Sequence, residues 1–143
     1  MLLREENGMT ALARKRALIV EDEAVVAIMI EEMLQDLGCE VVGMAGRLPQ
    51  AVAKARELDL DFGVLDVNLG GDMTYDVADA LMERSIPFIF ATGYGSAAIP
   101  SKYAAMPVIQ KPFAPVALEV ALEHLMKLDL TPGVRPESCG TDI

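Results

Sequence analysis

At 143 residues the chain is sized for one domain with a core of its own, and 52% of it is hydrophobic, which argues for a globular protein. Its 22 acidic residues against 12 basic ones give a formal net charge of -10, a field that repels a phosphate backbone and turns the expectation from nucleic acid to protein partners. Cys39 and Cys139 have neither metal nor redox spacing and read as reduced thiols; with no signal peptide and no apolar run near the ~20 residues of a membrane helix, a soluble cytoplasmic protein is expected.

Residues 1–14 are mixed and aperiodic and read as a tail leading into the first strand, Ala17 to Val20. Val26, Met29, Ile30, Met33, Leu34 and Leu37 then recur at spacings of three and four, the inward face of a helix that Gly38 ends as a C-cap. A second strand, Val41 to Ala45, precedes a short helix from Pro49 to Leu58 with proline in its first turn. A third strand, Phe62 to Leu65, runs into Asp66, and a helix from Thr74 to Arg84 turns Val77, Ala78 and Leu81 inward. The fourth strand is Pro87 to Ala91, the fifth holds Val108 and Ile109, and a last helix runs from Ala114 to Leu128 ahead of a second tail, 129–143.

Strands alternating with helices predict one α/β domain over 15–128, a doubly wound five-stranded parallel sheet of flavodoxin-like order 2-1-3-4-5. Ligands of such folds bind beyond the carboxyl ends of the strands, where the winding reverses between the first and third. Glu21, Asp22 and Asp66 fall at that edge, with Thr92 and Lys111 ending the fourth and fifth strands. Crowded carboxylates call for a counter-cation, and an oxygen-only set favours Mg2+; zinc would need His or Cys, and the only histidine, His124, lies on the last helix. Asp66, alone after the middle strand, can attack a phosphoryl group, with Lys111 and Thr92 contacting its oxygens. Taken singly, an acid after a strand reads as a helix cap and Lys-Pro as a turn; the set in this order argues for a shared site.

On Leu18-Ile19-Val20-Glu21-Asp22-Glu23, Leu65-Asp66-Val67-Asn68, Ala91-Thr92-Gly93 and Gln110-Lys111-Pro112-Phe113, the chain resembles response-regulator receiver domains, the phosphorylatable partners of histidine kinases, from about Lys15 to Leu128. The resemblance implies that Asp66 is the phospho-acceptor and that Glu21, Asp22, Asp66 and the backbone carbonyl of Asn68 hold Mg2+. It further implies that Lys111 and Thr92 contact the phosphoryl group, that Lys111-Pro112 is cis, and that Asn68 and Tyr94 flank the path of the hydrolytic water. Phe90-Ala91-Thr92-Gly93-Tyr94 is similar to the motif of the FAT GUY subclass, whose members often stand alone or pair with kinases of the HWE and related families.

Two places depart from the family pattern. Val108 stands where a switch aromatic is common, and Gly95, Ser96, Pro100 and Ser101 interrupt the expected helix between Gly95 and Met106, predicting a short, mobile or partly unfolded element. On the last helix, Glu119, Glu123 and Lys127 form a narrow polar stripe, and its remaining Leu and Met residues predict an exposed apolar side suited to self-association or kinase docking. The activity expected is that of a single-domain response regulator, not an enzyme with multiple turnovers. Alternatives are a phosphate sink and a receiver-like module that is never phosphorylated. A haloacid-dehalogenase-type Mg2+ phosphatase is disfavoured because Asn68 stands where its general acid would be, and a nucleotide or flavin module because the first loop is Glu21-Asp22-Glu23 instead of glycine-rich.

Overall fold

A computed structural model describes residues 12–93 and 99–128 of the chain. Five parallel strands, β1 (Arg16–Val20), β2 (Glu40–Ala45), β3 (Phe62–Asp66), β4 (Phe88–Thr92) and β5 (Val108–Gln110), form one sheet in the order β2-β1-β3-β4-β5. Every residue of β3 and β4 is buried, as expected of interior strands covered on both faces. The edge strand β2 is half-buried over most of its length, and β5 is cut to three residues.

The covering helices are α1 (Ala24–Asp36), α2 (Leu48–Glu57), α3 (Tyr75–Glu83) and α4 (Pro115–Leu125). Right-handed crossovers require α1 on one face and α2 and α3 together on the other, and α2 and α3 do pack against each other. Phe113, just ahead of α4, meets Val26, Met29 and Met33 of α1 around a small apolar cleft, which puts α4 on the α1 face. Arg84 at the end of α3 ties the other layer by donating to the carbonyls of Ala55 and Leu58, which α2 leaves without helical partners.

The sequence-derived order, the five strands and the four helices agree with this architecture to within a few residues at each end. On α1 the inward seam is Ala27, Ile30, Leu34 and Leu37, while Met29, assigned to that seam by its spacing, is 47% exposed. Ala27 takes its place because a small side chain lets the helix approach β1 and β2 closely.

The polar stripe expected on α4 is corrected too. Spacings of four drift about 40° per step around a helix. The stripe therefore leaves the packed seam of Leu118, Leu122 and Leu125 only gradually: Glu119 is buried and Lys127 is exposed. Oε2 of Glu119 has no hydrogen-bond partner among the described residues. The apolar side left exposed is formed by Val116 and Val120, and the leucines of the helix are buried.

Tyr94 and the first part of the interrupted segment lie outside the described residues. The rest of that segment makes a single 3-10 turn, Ser101–Tyr103, behind Pro100. Tyr103 is buried, stacks on Tyr75 at 5.6 Å and meets the edges of Phe88 and Phe90. Its hydroxyl donates to Asp79 Oδ1 at 2.6 Å, and Lys102 pairs with the same carboxylate. Burial, and then Asp79, push the Tyr103 hydroxyl pKa well above its ordinary value.

Packed chain begins before Lys15: Leu12 is buried, and Arg14 N-H donates to the carbonyl of Gly38 at 2.7 Å. Gly38 itself has φ +91°, and a Cβ there would meet Ala13 Cα at 3.3 Å. Its role as the C-terminal stop of α1 thus also seats the turn ahead of β1. Gly38→Ala is expected to cost about 1–2 kcal/mol from the left-handed backbone alone, visible as a thermal midpoint several degrees lower.

Candidate functional site

Main-chain hydrogen bonds continue past the strand ends and lock them in register. Glu21 N-H donates to Ala45 O at 3.0 Å, Val67 N-H to Ala91 O at 3.1 Å, and Lys111 N-H to Thr92 O at 2.8 Å. The five residues singled out from sequence, Glu21, Asp22, Asp66, Thr92 and Lys111, are thereby brought to one edge of the sheet. Asp22, Asp66, Asn68, Met73, Thr92 and Lys111 are among the residues lining a cleft of about 450 Å3 there.

Lys111 Nζ lies 3.1 Å from Glu21 Oε1 and 3.1 Å from Asp66 Oδ2. The Glu21 carboxylate is almost fully enclosed and also accepts from Glu23 N-H at 3.2 Å, whereas Asp22 is exposed. One carboxylate oxygen from each of Glu21, Asp22 and Asp66 lies within 4.8 Å of the others. Such a set of hard oxygen donors, without His or Cys, has the chemistry of an Mg2+ site.

Burial pushes the Glu21 carboxyl pKa up, and the negative charge of Asp66 adds to this; hydrogen bonds from Lys111 and Glu23 oppose it without cancelling it. Burial alone would lower the Lys111 pKa, but its hydrogen bonds to Glu21 and Asp66 outweigh that and raise it. The charged form of Lys111 is therefore favoured, while burial makes the Glu21 carboxylate easier to protonate than in water.

The loop after Asp66 is more structured than its sequence suggests. Asn68–Leu69 and Asp72–Met73 pair as a two-residue antiparallel ribbon, turned by Gly70 (φ +58°) and Gly71 (φ +107°). Two successive positive φ values are the requirement that Gly-Gly satisfies. The side chain of Asn68 is folded into this ribbon: Oδ1 accepts from Gly71 N-H at 2.6 Å, and Nδ2 lies 3.7 Å from Met73 Sδ. Its main-chain N-H donates to Asp66 Oδ1 at 3.2 Å. The two oxygens of Asp66 are thus oriented separately, one by the loop and one by Lys111.

At the base of the loop stands Thr74, fully buried, with its hydroxyl 2.6 Å from the carbonyl of Asp66 itself. The sequence shows a hydroxyl residue at the mouth of α3, but carries no signal that this hydroxyl reaches back to the main chain of Asp66. The Lys111-Pro112 peptide is cis, as the resemblance implies. Cys39 is buried with its thiol pKa pushed up to about 11 by desolvation, an unreactive thiol away from this edge.

The profile of the response regulator receiver domain matches residues 17–123. Among curated proteins, the transcriptional regulatory protein PdtaR of Mycobacterium tuberculosis is 31% identical over 117 residues, 79% of this chain and 57% of that protein, so the chain spans little more than half of its length. The chemotaxis protein CheY of Thermotoga maritima is 30% identical over 118 residues, 79% of this chain and 98% of CheY. Among solved structures, SdrG from Sphingomonas melonis Fr1 superposes with a TM-score of 0.71 at 40% identity, covering 82% of this chain and 99% of that one. Among the described residues no helix is long and apolar enough to cross a membrane.

A carboxyl group whose pKa is raised by folding opposes stability at pH above that raised value, and the penalty disappears as the pH falls to its unfolded value. Glu21→Gln keeps an acceptor for Lys111 and removes the charge. In the absence of divalent metal it is expected to raise the thermal midpoint at pH 7, with the gain closing below about pH 4; a pH series of melting curves on both proteins checks the sign.

Proposed function

The chain belongs to the response regulator receiver family, and from that premise we propose that Asp66 accepts a phosphoryl group from the phosphohistidine of a sensor kinase or phosphotransfer protein. The observation that carries this reading is the position of Asp66: one carboxylate oxygen faces Lys111, the other is held by Asn68 N-H, and both adjoin the cleft. An oxygen of Asp66 attacks phosphorus, the P-N bond breaks, and its electron pair leaves with the imidazole nitrogen. The product is an acyl phosphate, later cleaved by water to inorganic phosphate and the free carboxylate.

Each neighbour has a distinct part. Glu21, Asp22, Asp66 and the main-chain carbonyl of Asn68 are the groups suited to hold Mg2+. When bound, that ion supplies charge neutralisation that lets an anionic donor approach three carboxylates. Lys111 gives up its contact with Asp66 to pair with a phosphoryl oxygen while Glu21 keeps its position. Thr92, at the end of β4, donates its hydroxyl to another phosphoryl oxygen. Because Asn68 is tied into the ribbon through its side chain, it presents its main chain to the acceptor.

The motif Phe90-Ala91-Thr92-Gly93-Tyr94 supports the FAT GUY subclass and, with it, a kinase of the HWE type. Half-buried Val108 offers no ring to rotate, whereas Tyr103 lies against Phe90, two residues before Thr92, and links that strand end to α3. Phosphorylation then acts on partner contacts through the segment between Thr92 and Met106, and the exposed Val116 and Val120 of α4 supply a surface for a second copy or a kinase. In this reading the chain works in the cytoplasm as a phosphorylatable receiver in two-component signalling.

Incubation with acetyl phosphate and Mg2+ is expected to add one phosphoryl group by intact-mass analysis, reversed by hydroxylamine, which cleaves acyl phosphates. Asp66→Ala should gain none, and chelation of the metal should abolish the gain in the parent. Labelling that persists in Asp66→Ala would move the acceptor elsewhere.

A further inference from the structure

The phospho-acceptor is held not only by its carboxylate partners but by its own main chain, and the group that holds it is a side chain eight residues further on. Thr74 is fully buried, and its hydroxyl donates to the carbonyl oxygen of Asp66 at 2.6 Å, with the carbonyl of Val67 at 3.2 Å on the other side. Thr74 N-H also donates to Val67 O at 2.9 Å. The carbonyl of Thr74 meanwhile accepts from Val77 and Ala78 N-H, the opening bonds of α3. One residue thus joins the end of β3 to the start of a helix and closes the loop 67–73 at its base.

The ladder between β1 and β3 stops at the pair Val20 and Leu65, one residue short of the acceptor. Beyond that point the carbonyl of Asp66 is taken by Thr74 Oγ1. Rotation of the Asp66 main chain would swing Oδ2 away from Lys111, and Oδ1 away from Asn68 N-H, since both contacts are made at hydrogen-bond distance. The ribbon that presents Asn68 N-H is anchored at the same base. Fixing one carbonyl therefore fixes the direction of the attacking carboxylate and of the loop beside it.

Resting on the reading of Asp66 as phospho-acceptor, we propose that Thr74 is a positioning residue for phosphoryl transfer, acting through its hydroxyl on the main chain of Asp66. Its effect falls on the rate of the chemical step and not on capture of the donor, which is left to the cleft's charged groups.

The test compares the full chain with Thr74→Val, which keeps the shape and removes the hydroxyl, and Thr74→Ser, which keeps the hydroxyl. Labelling by acetyl phosphate at saturating Mg2+ is followed across donor concentration, with melting curves alongside. Thr74→Val is expected to lower the maximal rate by roughly ten- to a hundredfold with the half-saturating donor concentration little changed. Thr74→Ser should restore the rate even if its lost methyl group lowers the melting temperature. A Thr74→Val protein that melts lower but labels at the parent's maximal rate overturns the inference. So does a folded Thr74→Ser protein as slow as expected for Thr74→Val, a result available even if Thr74→Val fails to fold. A parent chain that takes up no phosphoryl group sinks the acceptor reading itself, and the pattern across the variants separates the two failures.

Discussion

One ammonium group shared by two carboxylates sets the terms for the rest of this molecule. Lys111 reaches from beyond β5 to Glu21 after β1 and to Asp66 at the end of β3, across sequence separations of 90 and 45 residues. It cannot neutralise three acids: Glu21, Asp22 and Asp66 crowded together leave a surplus of negative charge that a divalent cation suits. Burial, with the Asp66 charge adding to it, raises the Glu21 pKa, and the hydrogen bonds to Glu21 and Asp66 raise that of Lys111 against its own burial. Buried ion pairs of this kind are costly to assemble, so the sheet must hold the partners in place against their desolvation.

The architecture does this by extending the parallel ladder past its strands. Glu21, Val67 and Lys111 all continue main-chain bonding to the neighbouring strand, so the reactive side chains project from backbone that cannot drift. The loop after Asp66 is closed by Thr74 at its base and by Asn68 across its ribbon. On the far side of Thr92 the constraint is aromatic: Tyr103 is packed among Tyr75, Phe88 and Phe90 and hydrogen-bonded to Asp79. Asp66 is thus flanked by a loop closed by hydrogen bonds on one side and, on the other, by a strand end packed against a buried ring cluster.

Much of this was legible in the sequence because strand ends are read from where apolar runs stop. Glu21, Asp22, Asp66, Thr92 and Lys111 each follow such a run, and the alternation of strands with helices was enough to bring them to one edge. What escaped depends on contacts with no local signal. The hydroxyl of Thr74 looks like any helix start until the chain turns back on it, and Asn68 looks like a free polar side chain until the Gly70-Gly71 turn takes it. Periodicity also misplaced Met29, where Ala27 takes the inward position on α1, and Glu119, which the drift of i+4 spacings carries toward the buried seam of α4.

Glu21, Asp22 and Asp66 form an acid cluster suited to a divalent cation, and calorimetric titration of the purified chain with Mg2+ tests directly whether it takes one. One ion per chain is predicted, with affinity sharply reduced in both Asp22→Asn and Asp66→Asn. An absence of binding at millimolar Mg2+, or binding that survives both substitutions unchanged, would contradict it.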